Sequence, residues 1–542
     1  MLRPQTELAF SARRLPTDLL LLAGFCAGFF FFGLGNIGLS GADEPRYAQI
    51  AREMLARRDW VTPVFLGRPW LEKPILYYWE AMFSYGIFGV HDWAARLPGA
   101  VNASMLVVAV YFFVRRFFRG GELDAGLMLA TTVFMIAFGH AASTDMPLTA
   151  AFTMGMLAWT VWHCGRGRVW LYLFYLFMAL GTLAKGPVAP LLAGIILVLF
   201  AGVRRRAALI RRTLSPGGIL LYAAVAAPWY FLVQRRTGNF LRVFLLEHNL
   251  ERFHTPVYHH QQPLWYFAPV LLAALAPWTV LAIAGFIRAV RWQQPRERIQ
   301  NPTQADILLL LALWGAAPVV FFSFSASKLP GYILPSAPPF AVLGALWLRH
   351  MLTASGGKAR LVAFLHALAA GAPLAAALLV PYALLRLFPP RAAIETAAAA
   401  GAIAFGGVYL VTRFWGLRTL RLVTLFPVVV GLGFLLRVAA PALDSRLTAR
   451  PVARELIRLA PSGLPVAACG IDRELEYGLD FYLDQPVAIY ERSESPSAAA
   501  YVLVVHHALP AYAQAVAPGR RFTRLADFPA QDLVFYWVTR LE

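Results

Sequence analysis

Residues 17–39 read TDLLLLAGFCAGFFFFGLGNIGL, an uninterrupted apolar run long enough to cross a bilayer as a helix. The run exceeds the apolar core of a cleaved signal and no small-residue cleavage site follows it, so it is expected to remain as a membrane anchor. Similar runs recur over the first 440 residues, at 96–115, 124–142, 147–164, 169–184, 187–203, 217–234, 264–287, 305–324, 332–348, 361–384, 392–412 and 421–439. The composition agrees: of 542 residues 59% are hydrophobic and 14% charged, with a mean hydropathy of +0.58. A soluble domain carries about 25% charged residues. The fold class expected is an α-helical polytopic membrane protein of about thirteen transmembrane helices.

A net charge of +20 suggests nucleic acid until its placement is examined. The basic clusters lie at Arg13-Arg14, Arg115-Arg116 with Arg119, Arg166 with Arg168, and in 204–212, 288–298, 349–360 and 413–421. Each follows an even number of expected spans, and positive charge marks the cytoplasmic side. The N-terminus is therefore expected in the cytoplasm and the C-terminus outside. Anionic membrane lipids are sufficient partners for these loops, and no nucleic-acid partner is expected. Cys26, Cys164 and Cys469 are too scattered for a disulfide framework or a zinc motif.

Two external loops are long, 40–98 and 235–263, and loops of that length are often functional. In the first, Asp43-Glu44-Pro45 offers an N-cap and an early proline, and Tyr47, Ile50, Met54 and Leu55 keep helical spacing afterwards. A second helix is expected from near Pro74, carrying Tyr77, Tyr78 and Trp79, and aromatic amphipathic helices of this kind suit a membrane interface. Residues 1–440 thus read as the membrane domain, and 441–542 as a small external α/β domain. In the latter, helical stretches at 452–459, 474–483 and 508–515 alternate with β-rich runs at 465–469, 486–490, 501–506 and 533–538.

Charges near the outer face are few. Asp43 follows the first span, Asp145 the third and Lys185 the fifth, while Lys73 sits in the first loop and Lys328 precedes the tenth span. Two carboxylates and several cations at one depth suit a substrate with a phosphate head and a hydrocarbon tail. Each also has a plainer reading: Asp43 and Asp145 stand where helix caps are wanted, and the lysines can snorkel to the interface. The second loop holds Glu247, His248, His254, His259 and His260. The sequence requires no cofactor, but a divalent metal is a candidate, with Glu72, His254, His259 and His260 as its ligands, although their spacing matches no standard ligand pattern.

The runs Gly41-Ala42-Asp43-Glu44-Pro45-Arg46-Tyr47-Ala48, Asp59-Trp60-Val61-Thr62-Pro63 and Leu71-Glu72-Lys73-Pro74-Ile75-Leu76-Tyr77-Tyr78-Trp79 resemble those of the bacterial aminoarabinose transferases that modify lipid A. Glu247-His248-Asn249-Leu250, Arg252-Phe253, Ser327-Lys328-Leu329-Pro330 and Tyr332 are similar too. These enzymes are relatives of the protein O-mannosyltransferases within the GT-C class. The resemblance implies transfer of 4-amino-4-deoxy-L-arabinose from undecaprenyl phosphate to a lipid A phosphate at the periplasmic face of the inner membrane, by a monomer. It implies Asp43 and Asp145 as catalytic residues, and Arg46, Glu72, Lys73, Tyr77, Lys185, Lys328 and Tyr332 as substrate-binding ones. Two competing readings are a protein O-mannosyltransferase-like or other polyprenyl-phosphate glycosyltransferase, in which Asp43 would act as a base, and a lipid or sugar transporter. The transporter reading fits less well, because charge gathers at one face and no repeated halves are visible.

Overall fold

The computed structural model describes residues 3–244, 262–291, 301–353, 357–385, 390–460, 463–492, 494–507 and 510–541. Helix α1 (Arg3–Cys26) runs on as a π-helical turn to Phe31. The segment between α1 and the next long helix then forms α2 (Asp43–Arg57), a two-stranded ribbon of β1 (Val64–Phe65) and β2 (Arg68–Pro69), and α3 (Leu76–Phe88). The membrane helices follow: α4 (Asp92–Phe117), α5 (Glu122–Ala130), α6 (Val133–Gly139), α7 (Asp145–His163), α8 (Arg168–Lys185), α9 (Val188–Arg204), the short α10 (Ala208–Thr213) and α11 (Pro216–Thr237). After the second loop come α12 (Phe267–Ala274), α13 (Thr279–Arg291), α14 (Pro302–Ser323), α15 (Ala337–Thr353), α16 (Gly357–Leu385), α17 (Pro390–Trp415) and α18 (Leu420–Phe434).

Local sequence explains these limits. In α11, the Ser215 hydroxyl accepts from the Gly218 N–H, Pro216 opens the first turn, and Gly238 closes the helix at φ 75°. Helix α4 begins on Asp92 and ends on Arg115 and Arg116, each charge matched to its end of the helix dipole. Neither Asp43 nor Asp145 is a cap. The caps are Ala42 and Thr144, without side-chain capping bonds, and both aspartates lie in the first helical turn.

Helices fall in each of the expected segments, but the first ends at Phe31, short of residue 39, and not all the others are single rods. The third is broken between α5 and α6 with a bend of 59°, and the eighth is bent by 115° around Pro277, where the missing N–H interrupts the helix. Among the described residues, seven helices are long and apolar enough to cross a membrane, or up to nine if each bent pair is one span.

The chain passes from α18 through a π turn into α19 (Ala440–Leu447), then α20 (Arg450–Leu459), without a break at residue 440 large enough to end the continuous helical stretch Leu417–Leu447. Beyond it lies a five-stranded sheet in the order β4-β3-β5-β7-β6. Strand β3 (Val466–Cys469) pairs in parallel with β4 (Ala488–Ile489) and β5 (Ala500–His506), and β7 (Leu533–Arg540) pairs antiparallel with β5 and with β6 (Arg520–Phe528). One face packs Val466, Ala468, Val502, Val504 and Phe535 against α20 and α21 (Arg473–Leu483). The other carries Ala467, Cys469, Leu503 and Val505 under α22 (Pro510–Val516). Strand β6 escaped the sequence reading because it is an edge strand, several of whose residues, among them Arg521, Thr523 and Arg524, meet solvent.

This sheet domain is pinned to the segment following α1. Arg450 donates to the Gly35 carbonyl at 2.8 Å and the Asn36 carbonyl at 2.9 Å, and pairs with Asp92 at 2.6 Å and Asp444 at 2.8 Å. The Gly38 N–H donates to Asp444 and the Leu39 N–H to the Tyr482 hydroxyl, each at 2.7 Å. Residue 38 has to be glycine for this approach, since a Cβ there would lie 2.7 Å from Thr448 Oγ1 and 2.8 Å from Tyr482 Oη.

Candidate active site

The site is organised by a buried ion pair. Arg96, near the start of α4, donates Nε to Glu44 Oε1 at 2.9 Å and a terminal nitrogen to Oε2 at 2.5 Å. Its remaining protons go to the carbonyls of Leu34, Ile37 and Gly38. Glu44 also accepts from the backbone N–H of Ser40 at 2.8 Å and of Ala142 at 2.7 Å. Burial raises the cost of the Glu44 charge, but Arg96 and the two backbone donors outweigh it and hold the carboxyl below its ordinary value. One carboxylate thus ties the end of the first span, α2, α4 and the turn before α7 into a single frame. Asp43 is next to Glu44, and Asp145 lies three residues past Ala142.

Around Asp43 the side chains form an aromatic cradle for one guanidinium. Arg46 pairs with Asp43, and its Cζ lies 4.7 Å from the Trp70 ring centroid, 5.3 Å from Tyr47 and 5.6 Å from Tyr477. Tyr47 in turn packs on Tyr77 at 6.0 Å and on Tyr78 at 6.1 Å. Burial works against the Arg46 charge, yet the negative potential from Tyr47, Asp43, Glu72 and Tyr78 leaves it more firmly protonated than an ordinary arginine. Asp43 is 57% exposed, so its carboxylate is open on the side away from Arg46. Three buried polar atoms close by have no hydrogen-bond partner: Arg46 Nε, Trp70 Nε1 and Tyr78 Oη. Unsatisfied buried donors cost about 1–3 kcal/mol each, and such a group signals an acceptor not drawn from the chain itself.

A second pair sits beyond Ala142. Asp145 pairs with Lys185 at the end of α8, and Lys185 Nζ stands 5.0 Å from the Tyr332 ring. Gly331 closes over this pair, because a Cβ there would lie 2.9 Å from Asp145 Oδ1. Lys328 is buried, and burial lowers its pKa. It donates to the Ser325 carbonyl at 2.7 Å and to the Gln262 carbonyl at 2.9 Å, which anchors the chain returning from the second loop. Lys73 is half-buried in the turn leading into α3.

Tyr77 does not face the cradle: it is fully buried, and its hydroxyl donates to the Ala95 carbonyl at 2.9 Å. Its neighbour Tyr78 is the residue whose hydroxyl is left unpaired beside Arg46. Among the described residues no group of three or more His, Cys, Asp or Glu side chains is placed to hold a metal, and His254, His259 and His260 lie outside the described residues, as do Glu247, His248, Asn249, Leu250, Arg252 and Phe253. The sequence reading also missed Arg96, Trp70 and Tyr477. Arg96 carried a signal, being a lone arginine at the carboxylate-bearing end of a span. Tyr477 carried none.

With this geometry in view, similarity to known proteins becomes informative. Residues 72–231 match the family described as dolichyl-phosphate-mannose-protein mannosyltransferase. An undecaprenyl phosphate-α-4-amino-4-deoxy-L-arabinose arabinosyl transferase of Pseudomonas fluorescens is 33% identical over 362 residues, 65% of this chain and 62% of that protein. One from Pseudomonas aeruginosa is 32% identical over 340 residues, 61% of this chain and 59% of that protein. The chain is similar to proteins named as aminoarabinose transferases. The alignments span about six-tenths of the length of these relatives. The crystal structure of ArnT from Cupriavidus metallidurans bound to undecaprenyl phosphate has the same fold, with a TM-score of 0.76 over 96% of this chain and 97% of that one at 23% identity.

Proposed function

We propose that this protein is a polyprenyl-phosphate-dependent glycosyltransferase that moves 4-amino-4-deoxy-L-arabinose from undecaprenyl phosphate to a phosphate of lipid A. The observation that carries the reading is the Arg46 cradle, a buried guanidinium with an unsatisfied Nε beside the open carboxylate of Asp43. The names of the relatives supply the sugar and the lipid carrier.

The chemistry follows from these charges. An oxygen of the acceptor phosphate bonds to the sugar's anomeric carbon as the bond from that carbon to the donor phosphate breaks, and undecaprenyl phosphate leaves with the electron pair. Negative charge grows on the leaving phosphate, where Arg46 and Lys73 stabilise it. The acceptor is already an anion, so no proton has to be removed from it. Asp43 then serves as a counter-ion for the sugar's ammonium, with Glu72 behind Arg46. Asp145, Lys185 and Tyr332 contribute a second charged pair to the site, and Lys328 holds the chain at Gln262. The protein acts as a monomer in the inner membrane, with its N-terminus in the cytoplasm and residues 441–542 in the periplasm.

Mass spectrometry of lipid A from cells with and without the protein tests the reading. Lipid A carrying the aminoarabinose only when the protein is present is the expected result. Unmodified lipid A together with a newly glycosylated hydroxyl acceptor would instead favour the mannosyltransferase-like reading, which the match over residues 72–231 keeps in view.

A further inference from the structure

Helix α4 runs from Asp92, beside the candidate active site, for 26 residues to Phe117. At 1.5 Å per residue it is about 39 Å long, so Arg116 and Arg119 stand at the opposite membrane surface. There a cavity of about 560 Å³ opens between α4, α13, α14 and α15, lined by Arg116, Arg119, Arg288, Arg349, His350 and Trp347 above a floor of leucines. No carboxylate lines it among the described residues. Basic side chains that only snorkel would spread toward the headgroups. These converge on a concavity instead, and its walls are fixed. A Cβ on Gly285 would overlap the Leu343 carbonyl, so α13 and α15 are in backbone contact at the floor. Arg349 is held in place by a 3.1 Å hydrogen bond to the Phe118 carbonyl, its guanidinium 3.2 Å from where a Cβ on Gly120 would be.

A second cavity of about 560 Å³ adjoins the first, and Arg116 lines both. It lies between α4, α7 and α8, walled by Phe112, Phe113, Leu157, Trp170 and Phe177, with Arg166 beside Arg116 at its polar end. A cationic basin and an apolar slot that share one arginine have the polarity of a single amphiphile. We propose that the two cavities together bind an anionic phospholipid of that leaflet, its phosphate against Arg116 and Arg349 and one acyl chain in the aromatic slot. Basic pockets between transmembrane helices on this side are suited to such headgroups.

The test uses the full chain, reconstituted in vesicles of equimolar phosphatidylglycerol and phosphatidylethanolamine, with the lipids that survive extraction counted by native mass spectrometry. Phosphatidylglycerol should be retained in preference to phosphatidylethanolamine. The preference should fall about fivefold for each arginine removed, in Arg116→Gln and again in Arg116→Gln with Arg349→Gln. Arg116 is exposed, so its single variant folds, and an unchanged thermal midpoint verifies this. Excess inorganic phosphate should leave the lipid bound. Equal retention of both lipids, a preference unaffected by Arg116→Gln, or displacement of the lipid by phosphate alone would each overturn the proposal.

Discussion

Asp43 and Glu44 are adjacent carboxylates with opposite duties, and substituting each one separates them. Glu44 is buried and bonded to Arg96, Ser40 and Ala142, so Glu44→Gln leaves a buried guanidinium without its counter-charge. Breaking a buried pair in this way costs about 3–5 kcal/mol, and the expected result is a lower thermal midpoint in detergent and a poor yield of folded protein. Asp43 is open, and besides a helix-dipole term of about 0.3–1 kcal/mol it supplies only part of the negative potential on Arg46, which Tyr47, Glu72 and Tyr78 share. Asp43→Asn should therefore fold normally while losing a charged contact worth about 1.5–3 kcal/mol, a fall in transfer of roughly one to two decades. Normal transfer with a lowered midpoint would make Asp43 a structural residue. Asp43 and Arg46 could be singled out from sequence because charge at a membrane face is costly and demands a reason. The choice between Tyr77 and Tyr78 could not be made, because successive residues point about 100° apart and which one meets Arg46 depends on how α3 packs against α2.

Among the elements, α21 does more than decorate the external sheet. Tyr477 packs edge-on against Phe65 at 5.2 Å and lies 5.6 Å from the Arg46 guanidinium, while Arg52 of α2 bonds the Phe481 carbonyl at 2.8 Å and Asp484 at 2.9 Å. The far domain therefore supplies one wall of the Arg46 cradle. Tyr477→Ala removes a cation–π contact of about 0.5–2 kcal/mol, so transfer should drop several-fold through weaker donor binding, with Tyr477→Phe close to wild type. Donor affinity equal in all three proteins would reduce α21 to a tether. Helical periodicity around Glu474 and Leu479 marked this helix in the sequence, but nothing local pointed to its partner more than 400 residues away. Strand β6 was hidden for the opposite reason, since an edge strand rich in arginine has the composition of a loop.

For the molecule as a whole, the alternation of basic clusters and apolar runs made the membrane architecture legible, because bilayer thickness and leaflet charge impose it directly. The bends at α5–α6 and α12–α13 were not legible, since a break of a few residues leaves the apolar run intact. The orientation itself is open to a direct measurement. Ser495 is exposed in the sheet domain. A cysteine placed there, with the native cysteines replaced, should react with an impermeant thiol reagent in intact spheroplasts. Labelling only after permeabilisation would place that domain in the cytoplasm and reverse every loop assignment.

The contacts of Arg450 also set an order of events during synthesis. Its partners Gly35, Asn36 and Asp92 leave the ribosome early, whereas Arg450 is separated from Asp92 by 358 residues. At roughly 5–20 residues per second, that interval is about 20–70 s. For all of that time the loop bearing Asp43 and Arg46 has its inner frame from Arg96 but no outer clasp and no Tyr477. The nascent protein therefore waits, membrane-inserted and incomplete, until its last fifth has been made. The C-terminal domain thus acts as a completion check on the proposed site.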